Sequence, residues 1–124
     1  MRKLIAQFNL QEKVYVAGFQ QNPYPYIKKA KLLLLTSDYE GLPTVLIEAL
    51  ILSTPVVSTD CPTGPNEILT GSLQVCLANY RDTDDISKKA LKALDYYPVI
   101  QKETLKKFSF EGYIEKLIYL TKNA

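Results

Sequence analysis

The residues best suited to chemistry lie between positions 37 and 50, where two carboxylates flank the start of an apolar helix. Glu40 lies in a Glu-Gly-Leu-Pro turn, and Glu48 is the single polar residue between Val45 and Leu52. A carboxylate on a helix built for burial is costly unless something hydrogen-bonds it. Thr44, four residues before Glu48, lies on the same helical face. A helix N-terminus with free N–H groups, two carboxylates and a hydroxyl is suited to an anion that carries hydroxyl-rich groups.

A purely structural explanation of the two carboxylates stays open at the level of sequence. Glu48 could pair with a lysine or a backbone group, and Glu40 could be a solvated loop acid. Neither spacing nor burial identifies a ligand.

The elements that would position these residues alternate between strands and helices. Strands are predicted at residues 14–17, 32–36, 55–58 and 74–78. Helices are predicted at residues 1–9, 26–29, 66–69, 98–107 and 110–122, with two more that begin at Pro43 and at Asp82. This alternation predicts an α/β fold, with a Rossmann-like parallel sheet and helices on both faces.

Ligands of such sheets bind outside the carboxyl ends of the strands. Those ends are predicted at Gly18 and Phe19, at residues 37–41, at residues 59–60 and at residues 79–80. The loop with the two carboxylates therefore falls on the ligand-binding edge of the sheet.

Composition excludes several classes of function. The 124 residues fit one domain, and a net charge of +2 gives no argument for nucleic acid as a partner. Because the two cysteines lack metal-ligand spacing and the chain has no histidine, a zinc site is not expected, and nucleophile schemes that use histidine are excluded within it. Cys61 and Cys76 are expected to be reduced thiols of a cytoplasmic protein. No apolar run reaches the length of a signal peptide or a membrane span.

The motif Ser37 to Pro43, the Glu48-Ala49-Leu50 triplet and the Pro55 to Thr59 strand together resemble the group 1 glycosyltransferases, the retaining family 4 of the GT-B fold. Asp60, Gly64, Glu67 and Ile68 also fall where that family carries a Gly-x-x-Glu-Ile segment. The resemblance implies that residues 1–124 form part of the C-terminal, donor-binding Rossmann-like domain. It also implies transfer of a sugar from a nucleotide diphosphate sugar to a hydroxyl acceptor with retention.

The resemblance implies a role for each residue of the site. Glu40 would be catalytic, near the donor sugar, and Glu48 would accept hydrogen bonds from the ribose. Gly18, Phe19 and Asn22 would lie towards the base. The diphosphate would meet the backbone at the helix N-terminus, formed by Gly41, Leu42, Pro43, Thr44 and Val45. No metal or other cofactor is implied, and a UDP-sugar is favoured slightly over a GDP-sugar as the donor.

The resemblance also implies what other parts of such an enzyme supply. Its basic pair for the diphosphate and its acceptor domain would lie upstream of Met1, so this chain is expected to be a fragment without turnover of its own. A glycan or lipid-linked acceptor, in surface polysaccharide or lipopolysaccharide synthesis, would bind to that other domain. Ser53 stands where the family usually has a glycine.

Several alternatives stay open. The chain could be a non-catalytic nucleotide-binding module, or part of a GT-B-like sugar-nucleotide epimerase. A receiver-type signalling domain would need an acidic pair after its first strand, which is not seen. Lysines at positions 88–92 and 102–107 fit either a solvated helix face or a peripheral contact with the inner face of an anionic membrane.

Overall fold

A computed structural model describes residues 1–109, 111–112 and 115. Its elements are, in chain order, α1 (Arg2–Gln7), α2 (Tyr24–Lys29), β1 (Leu33–Leu35), α3 (Thr44–Ile51), β2 (Val56–Thr59), α4 (Pro65–Ile68), a 3-10 helix (Gly71–Cys76), β3 (Leu77–Ala78), α5 (Thr83–Asp95) and α6 (Lys102–Lys106).

Among the described residues the sheet has three parallel strands in the order β1-β2-β3. Leu33 is in register with Val56, and Ser58 is in register with Leu77. All four residues of β2 are buried. A parallel strand between two neighbours, with helices on both faces of the sheet, has no side left for water. The α/β architecture predicted from the sequence is therefore confirmed.

The helix α3, which follows β1, supplies a large share of the hydrophobic core. Four residues of α3 are buried: Leu46, Ile47, Ala49 and Leu50. The helix ends at Ile51, and Ser53 just beyond it adopts a left-handed φ of 61°. Glycine is the usual residue for that conformation after a helix. Ser53 thus makes the same turn in a conformation that costs a side chain more.

The predicted strand at residues 14–17 is wrong for this structure. These residues form no strand, and Tyr15 is 86% exposed. Val14 donates its N–H back to Leu10 in a turn. An apolar, β-branched run becomes a strand only where a neighbour pairs its backbone groups, and within the described sheet β1 and β3 pair with β2 and not with residues 14–17.

Two other predicted bounds are also wrong. The 3-10 helix at residues 71–76 takes up the first three residues of the strand predicted at 74–78, so only Leu77 and Ala78 are extended. Leu73 and Cys76, three residues apart, are both buried, which fits a helix of three residues per turn. The predicted helix at 98–107 begins only at Lys102, because the preceding residues run extended while Tyr97 and Ile100 pack on the core.

The remaining helices agree in place with the sequence prediction, within two residues at their N-terminal ends. Asp82 caps α5, since its carboxylate accepts the N–H groups of Asp84 and Asp85 at 3.1 and 2.9 Å. The helix predicted at 110–122 lies largely outside the described residues.

Candidate functional site

Hydrogen bonds join three loops at the carboxyl edge of the sheet. The Thr59 hydroxyl donates to the carbonyl of Ser37 at 2.7 Å, which links the end of β2 to the loop after β1. The N–H of Asp60 donates to the carbonyl of Ala78 at 2.8 Å, which links the same region to β3. The Thr63 hydroxyl donates to the carbonyl of Glu40. Side chains at the end of β2 and in the loop after it therefore hold the backbone of the loop that carries Glu40.

Gly64 supports the same loop by close packing. Its φ is +94°, and a Cβ atom at this position would overlap the carbonyl of Gly41 and lie 2.7 Å from Cδ of Pro43. Glycine is required here both by the left-handed backbone and by the contact. The Gly-Leu-Pro turn before α3 thus rests directly on the backbone at Gly64.

The N-terminus of α3 is open in the manner that anion binding requires. Thr44 is the first helical residue, and Pro43 precedes it in the capping position without a side-chain hydrogen bond. The first backbone bond of the helix runs from the N–H of Leu46 to the carbonyl of Pro43. The N–H groups of Thr44 and Val45 stand before that bond, where a helix leaves its donors to water, side chains or ligands.

A cavity of about 490 Å³ lies beside this helix. Its lining comes from α3 and the turn before it, through Leu42, Thr44, Ile47 and Glu48, and from the segment 107–109. The volume is within the range of small-molecule sites, which is about 300–1,000 Å³. Leu42, Thr44 and Glu48, three of the donor-binding residues predicted from the sequence, therefore share one concave surface.

Sequence reasoning did not place the segment 107–109 at this cavity. Lys107 lies with its ammonium 4.9 Å from the centre of the Phe108 ring and donates to the backbone carbonyl of Glu67. Partial burial lowers the pKa of Lys107, and the charge of Glu67 opposes that shift. The only signal in the sequence was a basic and an aromatic residue next to a hydroxyl, and such a triplet is common on surfaces.

The two carboxylates occupy different positions. Both side chains are partly buried, and neither forms an ion pair among residues 1–109, 111–112 and 115. Glu48 lines the cavity, whereas Glu40 is in the loop after β1 and does not line it. The lysine pairing that would explain Glu48 structurally is therefore not observed in the described part of the chain.

The residues predicted towards the base are not brought to this cavity. Phe19 is 94% exposed, and Gly18 adopts a φ of 68° with open space around it. The Asn22 side chain accepts the N–H of Tyr24 at 3.2 Å, within its own turn. Their roles stay predictions.

Asp38 and Arg81 form a charged pair at the carboxyl edge of the sheet, which the sequence analysis did not predict. The Arg81 guanidinium lies 3.4 Å from the Asp38 carboxylate and 4.9 Å from the centre of the Tyr80 ring. The hydrogen bond to Asp38 raises the pKa of Arg81. Arg81 also has a left-handed φ of 58°. The pair connects the loop after β1 with the loop after β3.

No group of three or more metal-ligating side chains comes together among the residues that the structure describes. No helix in this part of the chain has the length and apolar character needed to cross a membrane.

Comparison with a model of the group 1 glycosyl transferases gives a match over residues 1–113. This range includes the loops at the carboxyl edge of the sheet, α3 and all the residues that line the cavity.

Individual proteins show the same relationship. An uncharacterized glycosyltransferase from Methanocaldococcus jannaschii is 47% identical over 75 residues, covering 60% of this chain and 18% of its own length. An N-acetylgalactosamine-N,N'-diacetylbacillosaminyl-diphospho-undecaprenol 4-alpha-N-acetylgalactosaminyltransferase from Campylobacter jejuni is 45% identical over 65 residues, covering 52% and 18%. A poly(ribitol-phosphate) alpha-N-acetylglucosaminyltransferase from Staphylococcus aureus is 28% identical over 125 residues, covering 95% and 25%. The chain thus corresponds to a quarter or less of each relative's length.

Proposed function

Since this chain belongs to the group 1 glycosyl transferases, we propose that it is the donor-binding part of an enzyme that moves a sugar from a nucleotide diphosphate sugar to a hydroxyl acceptor. The finer assignment is to the retaining family 4 and the GT-B fold, with residues 1–124 as part of its C-terminal domain. The observation that carries the proposal is the cavity where Thr44 and Glu48 meet the open N-terminus of α3.

The diphosphate is held at the start of α3 in this proposal. The backbone N–H groups of Gly41, Leu42, Thr44 and Val45 and the positive end of the helix dipole stabilise its negative charge. Glu48, one turn along the same face, accepts hydrogen bonds from the two ribose hydroxyls. A carboxylate has the acceptor capacity for both.

Glu40 acts at the donor sugar. Its loop is fixed by the bond from Thr63 to the Glu40 carbonyl, so the carboxylate is left for substrate. In that position it binds sugar hydroxyls and stabilises the positive charge that develops on the sugar in the transition state. We propose that no metal ion or other cofactor takes part.

The proposed setting is the synthesis of surface polysaccharide or lipopolysaccharide. The name of the C. jejuni relative specifies a diphospho-undecaprenol acceptor, and that of the S. aureus relative a poly(ribitol-phosphate) acceptor. By analogy with these two names, we propose that the acceptor for this enzyme is a glycan or a lipid-linked molecule that binds to another domain. Two unpaired cysteines fit a cytoplasmic location, with contact at the inner face of the membrane for a lipid-linked acceptor.

The test is a titration of the chain with UDP and with GDP, followed by backbone amide NMR. We expect saturable shifts at the amides of residues 41, 42, 44 and 45, with UDP binding more tightly than GDP. Glu48→Ala should weaken UDP binding about tenfold, the scale of a lost hydrogen bond to a charged group. Glu12→Ala, which removes an exposed carboxylate that does not line the cavity, is the matched control. An absence of shifts with both nucleotides at millimolar concentration would contradict the proposal.

A further inference from the structure

Lys107 lines the cavity beside α3. Thr44 and Glu48 of α3 line the same cavity, as do Phe108 and Ser109. The lining therefore includes both an acidic and a basic residue. A nucleotide has the complementary chemistry, with neutral hydroxyls at its ribose and negative charge at its phosphates.

The Lys107 ammonium is held in place before any ligand binds. It donates to the backbone carbonyl of Glu67 and lies 4.9 Å from the centre of the Phe108 ring. A lysine side chain that is free in solution loses rotamer freedom on binding, and that loss weakens the affinity. Because two contacts already restrict this side chain, less of that cost remains for a ligand. An ammonium group has three donors, so the bond to Glu67 leaves others for an anion.

We infer that Lys107 is a phosphate-binding residue of the donor site, contacting the diphosphate of a nucleotide seated at the N-terminus of α3. The inference rests on the proposed function, because it assumes a nucleotide in this cavity. It gives the diphosphate a cationic partner from the C-terminal side of the chain. The competing explanation is that Lys107 only tethers the segment 107–109 to α4 through Glu67.

The two explanations predict different effects of a Lys107 substitution on the binding of a nucleotide and of its nucleoside. A phosphate contact affects UDP and leaves uridine unchanged, whereas loss of a tether would deform the cavity and affect both ligands. We would measure the affinity of UDP and uridine by amide NMR for the wild-type chain, Lys107→Met and Lys107→Arg. Lys102→Met is the control, since it removes the same charge from α6 without touching the cavity.

The expected result is a UDP affinity about tenfold weaker in Lys107→Met, with uridine affinity unchanged. Lys107→Arg should recover part of the loss, and Lys102→Met should stay within about twofold of the wild type, as expected for a distant screened charge. Should Lys107→Met fail to fold, Lys107→Gln carries the same comparison, and the salt dependence of UDP binding in Lys107→Arg provides a second readout.

Failure of the inference is distinct from failure of the proposed function. UDP binding that is weakened by Glu48→Ala but not by Lys107→Met would overturn the role of Lys107 and leave the donor site standing. Equal losses for UDP and uridine in Lys107→Met would also overturn it, in favour of the tether. A wild-type chain that binds no nucleotide would overturn both.

Discussion

Gly64 packs so closely on Gly41 that a Cβ atom at Gly64 would overlap the Gly41 carbonyl, and this contact ties α4 to the turn that opens α3. Gly64 also has a φ of +94°, while Gly71 has a φ of +60° with nothing within 4 Å of its added Cβ. A comparison of alanine substitutions at these two glycines therefore separates the cost of backbone strain from the cost of steric overlap.

Gly64→Ala should destabilise the protein more than Gly71→Ala does. Backbone strain alone costs about 1–2 kcal/mol for an alanine in the left-handed region. Overlap with backbone atoms adds to that cost at Gly64, so we expect a total loss of about 3 kcal/mol or more. Urea denaturation of both variants gives the comparison. Equal losses would mean that the contact with Gly41 contributes nothing.

The cap of α5 provides a second test. Asp82→Ala should lower the free energy of unfolding by about 1 kcal/mol, since the N–H groups of Asp84 and Asp85 lose their acceptor. Asp82→Asn keeps a capping oxygen and should retain more than half of that stability. Urea midpoints measure both changes. A loss in Asp82→Asn as large as in Asp82→Ala would assign the effect to charge at the helix dipole rather than to the cap.

Stability should fall in alkaline solution because burial raises the pKa of the Cys76 thiol and of the Tyr97 hydroxyl. Their ordinary values are 9.0 and 10.0. Between the unfolded and the folded pKa the native state holds more protons than the unfolded state, so stability decreases with rising pH. We therefore expect the free energy of unfolding to decline above about pH 9.

Tyr97→Phe should reduce that decline and leave stability at pH 7 within about 1 kcal/mol of the wild type. The Tyr97 hydroxyl is buried without a hydrogen-bond partner among the described residues, so its removal leaves no other group unpaired. Tyr96→Phe, at an exposed neighbouring ring, is the control. An alkaline decline of the same size in Tyr97→Phe and the wild type would show that Tyr97 does not contribute to it.

Local chemistry in the sequence was enough to locate the elements that carry their own start signals. The proline before Thr44 and the acidic residues after Asp82 mark helix N-termini through interactions within a single turn. These signals depend on neighbours in sequence, and the structure confirms both helices.

Features that depend on distant partners were not accessible in the same way. Residues 14–17 have strand composition but pair with no strand of the described sheet, and residue types alone do not report whether a pairing forms. The position of Lys107 in the same cavity as Glu48 depends on the packing of α6 against α3, between segments more than 50 residues apart. No short-range pattern encodes that approach, so the contribution of segment 107–109 to the cavity was not predicted.

The role of Glu40 is tested by comparing a nucleotide with its sugar-bearing form. The Thr63 hydroxyl bonds the backbone carbonyl of Glu40, so a change in the side chain leaves the loop anchored. If the carboxylate contacts the donor sugar, Glu40→Gln should weaken UDP-N-acetylglucosamine or UDP-galactose about threefold to tenfold and leave UDP unchanged. Glu48→Gln should weaken all three ligands alike, because its proposed partner is the ribose that they share.

Asp38→Asn is the matched control for Glu40→Gln, since Asp38 is an exposed acid of the same loop whose partner is Arg81. An exposed pair of this kind contributes about 0–1 kcal/mol, so its loss should not separate UDP from the UDP-sugars. Affinities from amide NMR titrations of Glu40→Gln, Glu48→Gln and Asp38→Asn show whether Glu40 contacts the donor sugar. If Glu40→Gln weakens UDP as much as it weakens the UDP-sugars, Glu40 acts on the nucleotide or on the loop, and its place at the donor sugar is wrong.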